Sequence, residues 1–265
     1  MKKILICLIA LLMVLTAGCG KQATDTTSSE GKIIVGLDDG FPPFGFRDEK
    51  GDIIGFDIDL AKEIAKRLNR PIEFKAIQWS NKDEELNSGN IDMIMNGLEI
   101  TDERRHEMLF SKPYIHSGCV VFVRYSPGEN NIKDRSDLAG KIVGIQKGST
   151  AQAYINDDNE LRFSIRSINL YEDSDTAFKA LLNRQVDAVV GDETNGRYYI
   201  FKHQLQDKIS DTELPVGDKG QIAIGFRKND MTLRNEIQNA FDAIIKDGTA
   251  GKISERWFGK NLIKN

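Results

Sequence analysis

Residues 33–40 read IIVGLDDG and residues 141–148 read KIVGIQKG; laid over one another, Gly36 falls on Gly144 and Gly40 on Gly148. Each is a short β-branched run that ends in glycine and polar residues, the pattern of a buried strand entering a turn. A second pair of segments follows at matching places. LNSGNIDMIMNG (86–97) and LNRQVDAVVGD (182–192) both carry a helix end into a strand, through Ile91-Asp92 and Val186-Asp187. A loose repeat of this length is far too long for a solenoid period and describes two α/β lobes of one plan.

Around these landmarks strands and helices alternate, as they do when βαβ units build a parallel sheet. DIDLAKEIAKRL (57–68) sets Ile58, Ala61, Ile64, Ala65 and Leu68 on one helical stripe, and Asn69-Arg70-Pro71 stops it. In that helix Asp57 and Asp59 read as helix-start residues and nothing more. IEFKAI (72–77) reads as a strand, NKDEELNSG (81–89) as a helix, and IDMIM (91–95) as a strand apolar on both faces. Beyond the second unit, TLRNEIQNAFDAIIKDG (232–248) is an amphipathic helix, and Trp257 and Phe258 call for burial. The expected arrangement is two lobes joined by two crossovers, with the C-terminal helices returning to the first. Lobe I is then 32–116 with 222–265, and lobe II is 117–221.

Residues 1–18 stand apart. MKK is a positive start, and ILICLIALLMVLT (4–16) is an apolar run too short to span a bilayer as a mature helix. LTAGCG (15–20) resembles the lipobox of bacterial lipoproteins, with Thr16 where Leu or Val is usual. The resemblance implies a signal peptide over 1–18 and a mature chain starting at a lipidated Cys19, whose palmitate-type acyl chains suffice for stable anchoring. GKQATDTTSSEG (20–31) has no apolar period and extends Cys19 into a flexible tether over 19–31. With Cys7 in the leader and Cys19 acylated, Cys119 is alone and reads as a small core residue. The charge of −4 becomes −6 once Lys2 and Lys3 leave, which argues against nucleic acid or an anionic membrane surface as the main partner.

In open α/β sheets, ligands bind beyond the carboxyl ends of the strands. Those ends carry Asp38, Asp39, Phe41 and Phe44, then Trp79, then Asn96, Gly97, Glu99 and Arg104, then Gly148, Ser149 and Thr150, and finally Asp192 and Glu193. In NGLEITDERR (96–105), Thr101 is a good N-cap and Asp102 and Glu103 suit the first turn. Arg104 and Arg105 sit at the wrong end of that helix, at a cost of roughly 0.3–1 kcal/mol each at an exposed site. An anion from outside would complete Arg104, while Arg105 keeps a solvated face. A guanidinium, several carboxylates, aromatic walls and free backbone donors suit a zwitterion. Phe44 reads as core, Phe41 and Trp79 either as cleft walls or as core, and Asp39 as a solvated turn residue. Ser149 and Thr150 also read as helix caps. His106, His116 and His203 are scattered, and no nucleophile elbow, zinc signature or Walker loop is present, so no catalytic residue, metal or cofactor is expected.

FPPFGF, GFDIDLAKEIAKRL, LNSGNIDMI, ITDERR, FSKPY, GKIVGIQKGST and DAVVGDE run in order from about 34 to 258. Together they resemble the amino-acid-binding extracellular solute receptors of bacterial ABC importers, the family 3 solute-binding proteins. The resemblance implies a type II periplasmic-binding-protein fold, two parallel or mixed sheets joined by a two-strand hinge, closing on a free amino acid. It implies docking on a membrane permease with its ATPase, by a monomer held at the outer face of the cell membrane through its lipid alone. Carried over by position, Arg104 holds the α-carboxylate with the backbone of Thr150, and Asp192 takes the α-ammonium with the Gly97 carbonyl. Phe41 and Trp79 sandwich the side chain, whose far end Asp38 reaches in relatives that take basic amino acids. Glu99 departs from the family pattern, in which Ser or Thr is common.

Counting charges, Asp38 and Glu99 remain unmatched once Arg104 and Asp192 meet the ligand backbone, and a cationic side chain would offset at least one. Whether Lys147 enters the cleft, and whether Glu99 faces ligand or water, stays open at this level, as does glutamine or cystine against a basic ligand. An enzyme on the same fold, such as an amino-acid-related dehydratase, or a ligand-sensing lipoprotein would share these residues.

Overall fold

The computed structural model describes residues 31–125 and 132–264, so the expectations for residues 1–18, for Cys19 and for the tether up to Glu30 lie outside the described residues. In chain order the first stretch holds β1 (Ile33–Leu37), β2 (Gly40–Phe41), β3 (Gly45–Arg47), β4 (Ile53–Ile54), α1 (Phe56–Leu68) and β5 (Ile72–Ala76). After a 3-10 turn at Trp79–Asn81 come α2 (Lys82–Asn87), β6 (Met93–Ile94), α3 (Asp102–Glu107) and β7 (Met108–Phe110). The middle holds β8 (Ile115–Arg124), β9 (Ile142–Gln146), α4 (Thr150–Asp157), α5 (Asn159–Ser164), β10 (Ser167–Tyr171), α6 (Ser174–Leu182), β11 (Ala188–Asp192), α7 (Glu193–Lys202) and β12 (Ile209–Ile222). The chain returns through β13 (Gly225–Arg227), α8 (Met231–Lys246) and α9 (Thr249–Phe258).

Two five-stranded mixed sheets result, in the orders β5-β1-β6-β13-β7 and β10-β9-β11-β8-β12. The repeat supplies the parallel heart of each. β1 lies parallel to β5 and β6, and β9 parallel to β10 and β11. Its aspartates do the same structural work twice. Asp92 Oδ2 accepts from the Ile34 N–H at 2.9 Å, and Asp187 Oδ2 accepts from the Ile142 N–H at 2.9 Å, fixing the start of each central strand. IDMIM forms only a two-residue ladder, yet Ile91 to Met95 are all buried, as a strand apolar on both faces requires.

The first sheet is covered by α1, α8 and α9 around Phe56, Tyr114, Phe226 and Phe241, so the C-terminal helices do return to it. Phe258 packs on Phe56 with centroids 4.9 Å apart. The second sheet is buried on both faces, by Val121, Val143 and Val190 on one and by Phe122, Phe178 and Tyr199 on the other. Such two-sided cover is what parallel strands demand.

β8 and β12 are the two crossovers. They pair antiparallel at Ile115–Ile222, His116–Gln221 and Ser117–Gly220, then shift register before Cys119 meets Val216. Their first-sheet ends are tied down by Tyr114 N–H to the Ile222 carbonyl, Ala223 N–H to Leu98 and Ile100 N–H to Gln221, at 2.8–2.9 Å. A two-strand connection of this kind lets two rigid lobes change their angle with few residues absorbing the motion. Among the described residues no helix is long and apolar enough to cross a membrane, and no cluster of His, Cys, Asp and Glu is arranged to hold a metal.

Candidate ligand-binding cleft

The carboxyl ends of β1, β6, β9 and β11 converge on one cleft of about 640 Å³, open mouth included. Every residue expected at the site lines it. Asp38 and Phe41 come from the β1 side, Trp79 from the 3-10 turn, and Asn96, Gly97, Glu99 and Arg104 from the segment after β6. Thr150 and Asp192 close it from the second lobe.

Thr101 caps α3 by accepting from the Arg104 N–H at 3.1 Å, which pins Arg104 in the first turn. The Arg104 side chain is buried. Nη1 donates to the Glu99 carbonyl at 2.8 Å and to Thr150 Oγ1 at 3.1 Å, and Nη2 donates to the Gly148 carbonyl at 3.3 Å. A guanidinium has five N–H donors. Among the described residues no acceptor bonds Nε–H, and Nη2 has a second N–H to donate; Nε and Nη2 form one edge of the fork. That edge is the geometry for gripping a carboxylate with two parallel hydrogen bonds. Arg105 is exposed, as its solvated reading requires.

Asp192 ends β11 and caps α7 through the Asn195 N–H at 2.8 Å, while its other oxygen accepts from Ser117 Oγ. Asp192 is thus a helix cap whose carboxylate also lines the cleft. Glu99 faces the cleft, and Tyr154 OH donates to its Oε1 at 2.7 Å from α4. Lys147 turns away instead, half exposed and 3.7 Å from Glu172. Asp38 accepts from the Gly40 N–H at 2.9 Å and from the Gln146 side-chain amide at 2.6 Å. Burial pushes Asp38 up to about 6, and those two donors hold it from going further. Burial likewise raises Asp192 to about 6 and Glu99 to about 7, with the neighbouring Asp192 charge adding to Glu99. Three carboxyls and one buried guanidinium thus line the same cleft.

Gly97 adopts φ +62°, and a Cβ there would lie 3.0–3.2 Å from the Phe44 and Phe41 rings. Phe44 is fully buried core, stacked on Phe41 with centroids 5.7 Å apart. Phe41 is half-buried at the cleft wall, and Trp79 is both wall and core, packed with Leu86 and Ile94. Asn96 Oδ1 accepts from the Asp38 N–H at 3.1 Å, while its Nδ2 is one of two buried side-chain polar atoms without a partner among the described residues. Asp39 pairs with Arg47 at the surface.

Several residues at the site were not anticipated. Gln146 lines the cleft and bonds Asp38 from the other lobe, although the repeat names it: Gln146 is the counterpart of Asp38 in the aligned strands. Ser174 and Phe178 on α6 also line the cleft, as does Asn195, whose amide donates to the Pro42 carbonyl at 2.7 Å. Cys119 is a core residue and a wall at once. Asp57 corrects the reading of it as a helix-start residue and nothing more. It is fully buried, accepting from the Gly97 N–H at 2.7 Å and from Tyr114 OH at 2.8 Å, and burial raises it to about 7. Asp59 likewise does more than start a helix, accepting from Trp257 Nε1 at 2.9 Å. None of these three partners is near in sequence, which is why local pattern could not show them.

Known proteins resemble this chain in sequence and fold. The L-cystine-binding protein TcyJ of Escherichia coli (strain K12) is 30% identical over 239 residues, covering 88% of this chain and 85% of that protein. The structure of an ABC uptake transporter substrate binding protein from Streptococcus pneumoniae with bound histidine superposes with a TM-score of 0.84 at 32% identity, covering 89% of this chain and 95% of that one. An ancestral arginine-binding protein bound to arginine gives a TM-score of 0.80 at 36% identity, covering 88% and 100%. Residues 33–260 match a family description that fits the two-lobed fold and its cleft, and the chain belongs to the bacterial extracellular solute-binding proteins, family 3.

Proposed function

We propose that this chain is the substrate-binding receptor of an amino-acid ABC importer, taking a free polar L-amino acid, with preference for a cationic side chain, between its lobes. The carrying observation is the unbonded Nε–H and the spare Nη2 N–H of Arg104 in a cleft that also holds Asp192, Glu99 and Asp38. The fork takes the α-carboxylate with the backbone N–H of Thr150, and Asp192 and the Gly97 carbonyl take the α-ammonium. Glu99 joins them through its carboxylate. Phe41 and Trp79 flank the side chain, and Asn96 and Asp38 stand at its far end. Binding of cystine, histidine and arginine by the similar proteins supports an amino acid as ligand.

Residues 32–116 and 222–265 act as one lobe and 117–221 as the other, turning about β8 and β12. Ligand favours the closed arrangement because it bonds both lobes at once. The closed form is what the permease and its ATPase receive. The chain works as a monomer without cofactor or metal, and as a receptor rather than an enzyme. Cys19, lipidated after removal of 1–18, holds it to the outer face of the cell membrane.

Calorimetric titration with L-arginine and with agmatine, which keeps the guanidinium but lacks the carboxylate, tests the reading. L-arginine should bind and agmatine should bind at least about a hundredfold more weakly, the loss expected for two charge-assisted hydrogen bonds. Equal binding of the two would overturn the carboxylate clamp.

A further inference from the structure

A lysine is buried beside the cleft where no part of the binding site as described above requires it. Lys82, the first residue of α2, is 4% exposed, and burial lowers its pKa from the usual lysine value, with the nearby Arg104 charge adding to that. Its ammonium has three tasks. Nζ donates to the Gly148 carbonyl of the second lobe at 3.3 Å, pairs with Asp83 at 3.4 Å, and lies 5.4 Å from the centre of the Trp79 ring. The same Gly148 carbonyl accepts from Arg104 Nη2 at 3.3 Å. One carbonyl of lobe II is therefore received by two cations of lobe I.

Gly148 is shaped for that seat. It adopts φ +72°, and a Cβ there would come within 2.9 Å of Ser80 Cα, a backbone atom of lobe I. Only glycine lets the loop approach so closely. Immediately beyond it, Ser149 caps α4 and Thr150 opens it, lining the cleft with its hydroxyl bonded to Arg104. Fixing the Gly148 carbonyl on the outer side thus fixes Thr150 on the cleft side.

We propose that Lys82 is a positioning residue that latches lobe II onto lobe I: it holds the Gly148 carbonyl in the closed form and so sets how long a bound amino acid is retained. Lys82 does not touch the ligand; it acts through the 148–150 loop. Because the contact exists only when the lobes meet, it slows reopening and leaves capture by the open form alone. The proposal rests on the receptor reading and is tested apart from it.

Trp79 lines the cleft, so stopped-flow tryptophan fluorescence of the purified protein with L-arginine can separate association from dissociation. Lys82→Met should raise the dissociation rate about tenfold to a hundredfold, as expected for losing one charge-assisted hydrogen bond, with the association rate within about twofold. Lys82→Arg should restore slow dissociation, and Gly148→Ala should reproduce the fast rate by blocking the approach to Ser80. Because the ligand-free open form lacks the bond to Gly148, its melting temperature should be unchanged in Lys82→Met, which a purely structural lysine would not allow. An unchanged dissociation rate in Lys82→Met, or a loss confined to association, overturns the latch. Failure of the wild type to bind L-arginine counts against the receptor reading instead. In that event hydrogen exchange over residues 146–152 decides the latch, which predicts faster exchange in Lys82→Met, restored by Lys82→Arg; equal exchange refutes it.

Discussion

Replacing Arg104 by methionine keeps most of the apolar stem and removes the guanidinium. Two effects on binding can be sized. The Nε–Nη2 edge would lose both hydrogen bonds to the ligand carboxylate, each worth about 1.5–3 kcal/mol when one partner is charged. That is about 3–6 kcal/mol, or roughly a hundredfold to ten-thousandfold in affinity. The bonds to Thr150 Oγ1 and the Gly148 carbonyl span the lobes, so their loss also weakens the closed form, making a hundredfold the floor. The effect on folding is smaller. The Glu99 carbonyl loses a donor, at about 1–3 kcal/mol, but a buried cation disappears with it. The ligand-free melting temperature should therefore fall by no more than several degrees. Arg104→Lys, which keeps the charge without the fork, should fall between the two. Titration calorimetry on protein unfolded and refolded to strip bound ligand measures all three. An Arg104→Met protein that binds within about threefold of the wild type would refute the clamp.

Asp38→Asn should weaken a basic amino acid about tenfold to a hundredfold while leaving a neutral one within about threefold, because only the former uses the buried charge; competition titrations with arginine and glutamine check this, and equal losses would contradict it. Gly97→Ala should cost about 1–3 kcal/mol of stability, from a side chain forced to φ +62° against the Phe41 and Phe44 rings, read as a lowered urea midpoint. For Asp57 the pH dependence has a definite sign. Its folded-state pKa of about 7 lies above the ordinary carboxylate value, so between about pH 4 and pH 7 the folded protein holds a proton the unfolded chain has lost. Stability from this group falls as pH rises through that window, by up to about 1.4 kcal/mol per unit. Urea midpoints at about pH 5 and about pH 7.5 should differ less in Asp57→Asn than in the wild type.

The repeat made the lobes legible because equivalent strands obey the same rules in both. IIVGL and KIVGIQ are buried, parallel and anchored by equivalent aspartates, so local composition records the architecture directly. Strand ends then pointed to the cleft, since the fold brings carboxyl ends together and chemistry-bearing side chains cluster there. What stayed hidden depends on contacts distant in sequence. Asp57 looks like any acid in a first helical turn until Gly97 and Tyr114 bond to it. Lys82 looks like a solvated helix residue until lobe II covers it. Glu99 could not be oriented from sequence because Tyr154, its donor, lies on the other lobe. Gln146 is the exception: alignment of the two halves already sets it at the position of Asp38, so its place at the cleft was legible in the repeat.

The central claim, a zwitterion clasped between two lobes, is tested most directly by a thermal-shift panel on residues 20–265, refolded from denaturant. The panel covers the twenty amino acids with ornithine, citrulline and cystine. A ligand at about a hundred times its Kd adds roughly 2.7 kcal/mol of stability and shifts the transition by several degrees. The account predicts that shift for one or more of arginine, lysine, ornithine and histidine, and none for citrulline. A panel in which no amino acid raises the melting temperature would contradict it.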